Sequence, residues 1–521
     1  MEKTLNQFER LKAFKDGLDA LDDIMRFARQ GNLDGATEDD FHRWKWWGLF
    51  HRKQTPGFFM LRLRIPNGKL RAHQIKAIGR IANEFGRGAA DLTTRQNIQL
   101  RWIEIKDVPE IFERLRRVAI DHRQTGMDNF RNVTGCPVAG LDANEVIDAS
   151  PFAKLMTDAI VGFKRYSNLP RKFNPSITGC RQDCANAQVN DLAFTPATKV
   201  VNGKRIVGFH VWIGGALGSK PPMLAQRLGI FVRPEEVGII TRLILDIYRE
   251  HGNREHRHQA RLKFLLMEWG LERFLSELER RFGAPLEPEG DDEVTCWGGD
   301  HLGVHRQKNG LYYVGCCVPT GRITGDQLIE FGRLAETYGN GELRLTIDQN
   351  IIIVNVPRDK LNALLDEPLL QTFSPFPSPL VRGLVTCTGI DYCHFSQIEV
   401  KARAIEFVQE LEALLPADHP LKTGEGFVGR KLRIHWSGCP HSCGQHQIAD
   451  IGFLGVKVRT HDGQIAEGTT VFVGGRLGDK PKIAQEVAEK VPCALLAPTV
   501  MQLLNRVCFN GNDNDDDSDG E

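Results

Sequence analysis

Residues 66–99 read Pro66-Asn-Gly68-Lys-Leu-Arg-Ala-His-Gln74-Ile-Lys-Ala-Ile-Gly79-Arg80-Ile-Ala82-Asn-Glu-Phe-Gly86-Arg-Gly88-Ala-Ala-Asp-Leu92-Thr93-Thr-Arg95-Gln96-Asn97-Ile98-Gln99. The same stretch returns without gaps at 319–352, an offset of 253, with 13 of 34 positions identical. Chance would give roughly two at average residue usage. Each copy reads as a strand, a turn at the glycine, a helix and a second strand. An internal repeat of this kind decides the fold before any single motif does.

Working outward, a second pair repeats at an offset of 259. Arg171-Lys172-Phe173-Asn174 through Gly179-Cys180 matches Arg430-Lys431-Leu432-Arg433 through Gly438-Cys439. The match continues at Cys184/Cys443, Gln188/Gln447, Asp191/Asp450 and Phe194/Phe453, and Gly214-Gly215…Lys220-Pro221 echoes Gly474-Gly475…Lys480-Pro481. The body is therefore a duplicated unit of about 250 residues with expected pseudo-twofold symmetry. A ligand would sit between the halves. Charge breaks the symmetry: Arg62 and Arg95 align with Gly315 and Asp348.

Cys387 and Cys393 form one pair, with five residues between them, and Cys439 and Cys443 another, with three between. Two loops of two thiolates suit a [4Fe–4S] cube. The five-residue gap disfavours a structural zinc site, which prefers tighter pairs. Buried free thiols are a third reading. Spacing alone leaves all three open. Val400, Ala404, Phe407, Leu411 and Leu414 predict a helical face, placing Cys387 and Cys393 at or before a helix N-terminus. Cys180 and Cys184 repeat the spacing of Cys439 and Cys443, and Cys136 lies near the counterpart of Cys387. The counterpart of Cys393 is Leu141, so a second four-thiolate cluster is incomplete; relics of duplication or buried thiols are expected there.

Composition narrows the function classes. The chain has 521 residues with 67 Lys+Arg against 66 Asp+Glu, a net charge of +1, and 12 cysteines. So neutral a chain lacks the basic surplus of a general nucleic-acid binder. No apolar run is long enough to span a bilayer. The first residues form neither a signal core nor a transit peptide, so a cytoplasmic protein is expected. Removing the six acids of the 510–521 tail, expected to be disordered, leaves a body of +7. Gly214 to Lys220 lacks P-loop spacing, and no dinucleotide fingerprint follows a strand, so electrons for any redox chemistry must come from outside.

These segments, with Trp46-Trp47-Gly48-Leu49-Phe50-His51, Leu61-Arg62 through Gly68, Thr93 through Asn97, Met127 through Asn132 and Leu169 through Asn174, together resemble the nitrite and sulfite reductases. The likeness runs from about residue 6 to about residue 498. It implies an α+β fold, duplicated with pseudo-twofold symmetry, with three domains around a sirohaem–[4Fe–4S] centre. Cys387, Cys393, Cys439 and Cys443 would hold the cluster, and Cys443 would also ligate the sirohaem iron. Arg62, Arg131, Lys172 and Asn174 would face the substrate, while Arg95, Gln99 and Arg171 would meet the carboxylates of sirohaem.

The implied reaction is reduction of nitrite to ammonium, or of sulfite to sulfide. The sulfite enzymes usually carry lysine where this chain has Asn174. One cation fewer suits the monoanion nitrite, although such sites can accept both anions. With no flavin or nicotinamide domain, reduced ferredoxin or flavodoxin is the implied donor. An acidic ferredoxin would suit the +7 body. A catalytically silent iron–sulfur or zinc-binding interaction protein is the reading from another class. The expected layout is an N-terminal helical segment (1–54), ferredoxin-like halves (55–125 and 306–375), α/β domains (126–305 and 376–509) and the tail. The N-terminal helix, with Phe8, Leu11, Leu18, Leu21 and Met25 on one face, should pack over the body. The family suggests a monomer.

Overall fold

The computed structural model describes residues 5–423, 431–460 and 463–508. The predicted acidic tail lies outside the described residues.

The 66–99 and 319–352 copies do more than resemble each other: they exchange edge strands. One five-stranded sheet comprises Leu49–His51, Phe58–Arg62, Ile98–Glu104 and Ala89–Leu92, completed by Arg322–Thr324 from the second copy. The other comprises Gly303–Arg306, Tyr312–Cys316, Ile351–Val356 and Glu342–Leu345, completed by Lys69–Arg71 from the first. Both borrowed strands pair antiparallel, so neither half has a complete sheet alone. In each copy the glycine turn precedes this short edge strand rather than following it, because the strand is recruited by the other half.

Two matched glycines explain how closely the halves approach. Gly79 lies in the helix Ala72–Phe85, where an added Cβ would stand 2.5 Å from the Gly325 carbonyl oxygen. Gly332 lies in the helix Gly325–Tyr338, where a Cβ would stand 2.7 Å from Lys76 Cγ. The matched glutamines close the pseudo-twofold: Gln96 Nε2 donates to Leu345 O at 2.9 Å, and Gln349 Nε2 donates to Leu92 O at 3.0 Å. One hydrophobic core runs through both halves, from Ile75, Ile78 and Leu100 to Leu328, Phe331 and Ile353.

The flanking α/β lobes repeat a mixed topology. Strands Thr134–Gly135, Pro175–Ile177 and Leu192–Val201 run parallel, and Lys204–Ile213 and Gln226–Val232 continue antiparallel. The second lobe runs Leu384–Thr386, Ile434–Ser437, Ile451–Arg459, Ile465–Val473 and Gln485–Pro492 in the same order and directions. Each lobe has its own core, around Phe173 and Tyr248 in the first and Trp436 and Phe453 in the second.

Two local expectations need correction. The N-terminal segment is two helices, Gln7–Phe14 and Leu21–Gln30, broken at Asp16, whose carboxylate accepts from the Leu18 N–H at 2.8 Å. Gly17 at this break admits Trp46, whose ring occupies the position of a Cβ. The helix after Cys393 spans Lys401–Leu414 and leaves Leu414 exposed. Cys387 and Cys393 precede this helix, in keeping with the expected order, and only Leu414 departs from the predicted face.

Candidate active site

The edges of both α/β lobes and the exchanged sheets meet around one cavity. Arg62, Arg95, Gln99, Arg131, Lys172 and Asn174 line it, together with Cys387 and Cys443. The structure thus assembles six predicted polar residues from segments spread over more than a hundred positions.

Each cation is held by backbone. Arg62, at the end of its strand, donates through Nη1 to Thr125 O at 3.0 Å. Arg131 donates to Thr125 O and to Met127 O, both at 2.7 Å. Arg95 spans Asn190 Oδ1, Asn132 O and Pro175 O at 2.7–2.9 Å. Carbonyl acceptors orient a guanidinium without neutralising it, so the cavity wall keeps its positive charge. Burial pushes Arg62 down to about 10 and Arg95 to about 9. Arg131 falls well below the ordinary arginine range, from burial and the adjacent Arg62.

Lys172 is the group tuned for proton chemistry. Burial, then repulsion from Arg261, lowers its ammonium to about 7. Its neighbour Asn174 is fixed by a backbone N–H donated to Asp191 Oδ2 at 2.7 Å. Asp191 is held in turn by Arg261 at 2.7 Å, both side chains being buried. The repeat reproduces the anchor, with the Arg433 N–H donating to Asp450 Oδ2 at 2.8 Å.

Two expectations fare differently. Arg171 is not among the residues lining the cavity; its Nη1 lies 3.5 Å from Asp128, a carboxylate it shares with Arg257. Gln99 lines the cavity, but its carbonyl already accepts from Arg101 Nη2 at 2.9 Å. Arg261, Lys401 and His441 also line the cavity, and sequence reasoning missed them. For Arg261 the one available signal was its partner Asp191, a position kept in both repeats. Lys401 carried no signal, since its ion pair with Asp91 at 2.9 Å joins positions far apart in the chain.

The four cysteines of the second lobe lie within electrostatic reach of one another beside this cavity. Cys387 and Cys443 line the cavity, and burial followed by the nearby Cys443 pushes Cys387 and Cys439 up to about 12. The same two causes raise Cys393. Three buried thiols held above the ordinary thiol range beside a fourth sulfur are relieved by cationic iron, so the donor set fits a metal cluster. The Gly438 N–H points at Cys387 Sγ from 3.2 Å. Beyond the thiols, Arg95 Nε, Arg131 Nε and Asn132 Oδ1 are buried without hydrogen-bond partners along the cavity. The two unsatisfied guanidinium N–H groups fit a ligand bearing carboxylates or an oxyanion.

Fold and site together define a duplicated redox protein that concentrates thiolates and fixed cations on one cavity. Residues 126–286 and 378–507 match the nitrite and sulphite reductase 4Fe-4S domain, and 51–118 and 305–370 match the nitrite/sulfite reductase ferredoxin-like half domain. The chain belongs to the nitrite and sulphite reductase family. It is 45% identical to the ferredoxin–nitrite reductase of Synechococcus elongatus, over 96% of each chain. The chloroplastic ferredoxin–nitrite reductase of Spinacia oleracea is 40% identical over 96% of this chain and 85% of its own. The Mycobacterium tuberculosis NirA structure superposes with a TM-score of 0.91 at 32% identity, covering 98% of this chain and 95% of that one. Among the described residues, no helix is long and apolar enough to cross a membrane.

Proposed function

We propose that the protein reduces nitrite to ammonium with electrons from reduced ferredoxin. The observation that carries this reading is the convergence of Arg62, Arg131 and Lys172 with uncharged Asn174 on a cavity that Cys443 also lines. Relatives named ferredoxin–nitrite reductase, similar over nearly the full chain, support it.

The reaction consumes six electrons and eight protons per nitrite, releasing two waters. A [4Fe–4S] cluster and sirohaem are the cofactors; Cys387, Cys393, Cys439 and Cys443 would hold the cluster, and Cys443 the haem iron as well. When bound, the two groups supply the electrons and an iron that takes the nitrogen. The chain's own residues supply the rest. Arg62 and Arg131, fixed by the Thr125 carbonyl, hold the oxyanion with charge-assisted N–H donors. Lys172, poised near neutrality, gives a proton from Nζ to a departing oxygen and recovers one from solvent. Asn174 offers an amide donor without adding charge. Arg95 and Gln99 would meet the carboxylates of sirohaem. Arg171 is assigned instead to orienting the Lys172 segment through Asp128.

The finer reading is a cytoplasmic monomer with five folded segments, 1–54, 55–125, 126–305, 306–375 and 376–509. The positive body would steer an acidic ferredoxin, and flavodoxin would serve as a second donor. The test is turnover with chemically reduced viologen on nitrite and sulfite at matched concentrations. A higher kcat/KM for nitrite is expected; a higher value for sulfite would overturn the substrate assignment.

A further inference from the structure

The first lobe contains a donor cluster that the reduction of nitrite does not use. The sulfur atoms of Cys136, Cys180 and Cys184 all lie within 4.8 Å of one another, and all three side chains are buried. Counting thiolates along the sequence left this set one ligand short. The fold supplies another kind of donor. His301 Nε2 stands 3.0 Å from Cys184 Sγ and 3.7 Å from Cys136 Sγ, while Cys180 Sγ lies 3.3 Å from Cys184 Sγ. His301 comes from a strap that follows Cys296–Trp297, a short strand pairing in parallel with Gln182–Asp183.

The geometry points to a Cys3His site for a single zinc ion, formed by Cys136, Cys180, Cys184 and His301. Separations distinguish a single ion from a cluster. Ligands at about 2.3 Å (sulfur) and about 2.0 Å (nitrogen) from a tetrahedral zinc stand roughly 3.5–3.8 Å apart. The Cys180–Cys184, Cys184–His301 and Cys136–His301 separations of 3.3, 3.0 and 3.7 Å are on the scale of one ion's ligands, with the imidazole approaching from the Cys136 and Cys184 side of the three sulfurs. The donor set, three soft sulfurs and an imidazole, is one that zinc prefers.

The surroundings complete such a site. His301 Nδ1 lies 3.0 Å from the Tyr313 hydroxyl, which can accept an Nδ1–H and so leave Nε2 for metal. Thr178 Oγ1 lies 3.1 Å from Cys180 Sγ. Apolar Val138, Ala139, Ile352 and Val354 exclude water from the sulfur side. A Cβ on Gly299 would stand 2.2 Å from Gln182 Oε1 and 3.7 Å from Cys184 Sγ, so glycine is what lets the strap close over the loop. A cavity of about 870 Å³ reaches His301 and gives the ion a route in.

The position gives the ion a structural role. Cys136 follows the strand Thr134–Gly135, and Cys180 follows Pro175–Ile177, the parallel neighbour of that strand. The preceding ends of these strands lead back to Arg131 and to Lys172 and Asn174. Zinc would thus pin the far ends of both substrate-facing segments, at the pseudo-symmetric counterpart of the cluster in the other lobe.

The test is metal analysis of the holoprotein purified from zinc-supplemented medium. About one zinc per chain is expected beside the iron, with an X-ray absorption shell of three sulfurs and one nitrogen at distances typical of structural zinc. In Cys184→Ser and His301→Gln, zinc should fall about tenfold or more with iron per chain unchanged. A wild-type protein with less than about 0.1 zinc per chain overturns the site, as does a zinc content indifferent to both substitutions. Extra iron bound by these residues, or a disulfide among the three cysteines seen by intact mass, overturns it equally. Should the variants fail to fold, the wild-type zinc content and absorption spectrum decide alone.

Discussion

The guanidinium groups of Arg62 and Arg131 donate to one and the same acceptor, the Thr125 carbonyl oxygen, at 3.0 and 2.7 Å. Two like charges are thereby held side by side in a half-buried wall, oriented by a neutral oxygen that cancels neither. Such an arrangement costs folding free energy until an anion arrives, and that differential is what binds one.

Removing either partner should therefore cost binding and chemistry together. For Arg131→Ala, loss of a charge-assisted hydrogen bond of about 1.5–3 kcal/mol predicts a roughly 10- to 100-fold fall in kcat/KM for nitrite. Steady-state kinetics with reduced viologen checks this. An Arg131→Lys variant should recover part of the loss, since charge returns but the paired N–H donors do not.

The depressed pKa of Lys172 gives a pH dependence with a definite sign. With its ammonium as the proposed proton donor, kcat/KM should be highest on the acid side and fall as pH rises through about 7. In Lys172→Arg the charge persists to high pH, and this limb should disappear, with kcat lower by roughly 100-fold or more. The stability sign is also fixed. Between about 7 in the folded chain and ~10.4 unfolded, the unfolded state binds more protons, so this group makes stability rise with pH across that window.

In the proposed mechanism Asn174 carries the charge difference between the two oxyanion chemistries. Asn174→Lys adds a cation to the wall without disturbing the backbone bond to Asp191. The ratio of kcat/KM for nitrite over sulfite should fall by about tenfold, equivalent to about 1.4 kcal/mol. Measuring both substrates on one preparation checks it; an unchanged ratio would remove Asn174 as the discriminator.

Asp91 predicts stability rather than activity. Its buried carboxylate accepts from Arg101 at 2.5 Å and Lys401 at 2.9 Å, joining the first ferredoxin-like half to the second α/β lobe. These cations hold it well below the usual carboxylate range despite burial. Its stabilisation is therefore present above the unfolded value of about 3.9 and is lost as pH falls towards the folded one. Asp91→Asn should cost about 3–5 kcal/mol by stranding two buried cations, read as a lowered denaturation midpoint at neutral pH.

The chain itself was enough to establish the duplication and, through the family resemblance, to point to Cys387, Cys393, Cys439 and Cys443 and to the polar residues that line the cavity. Repeats and spacings are properties of order along the chain, and Gly68, Gly79, Gln96 and their counterparts recur because each half presses the same surface on the other. Tertiary packing decided what order cannot. The borrowed strands Lys69–Arg71 and Arg322–Thr324 pair across the halves, because each sheet edge buries its backbone donors only against the opposite copy. The approach of Arg171 to buried Asp128 joins positions 43 residues apart, which order along the chain does not show. His301 offered no motif, being one histidine in a glycine-rich strap. It meets Cys136 from 165 residues away because two short parallel strands and the small volume of Gly299 bring the strap there.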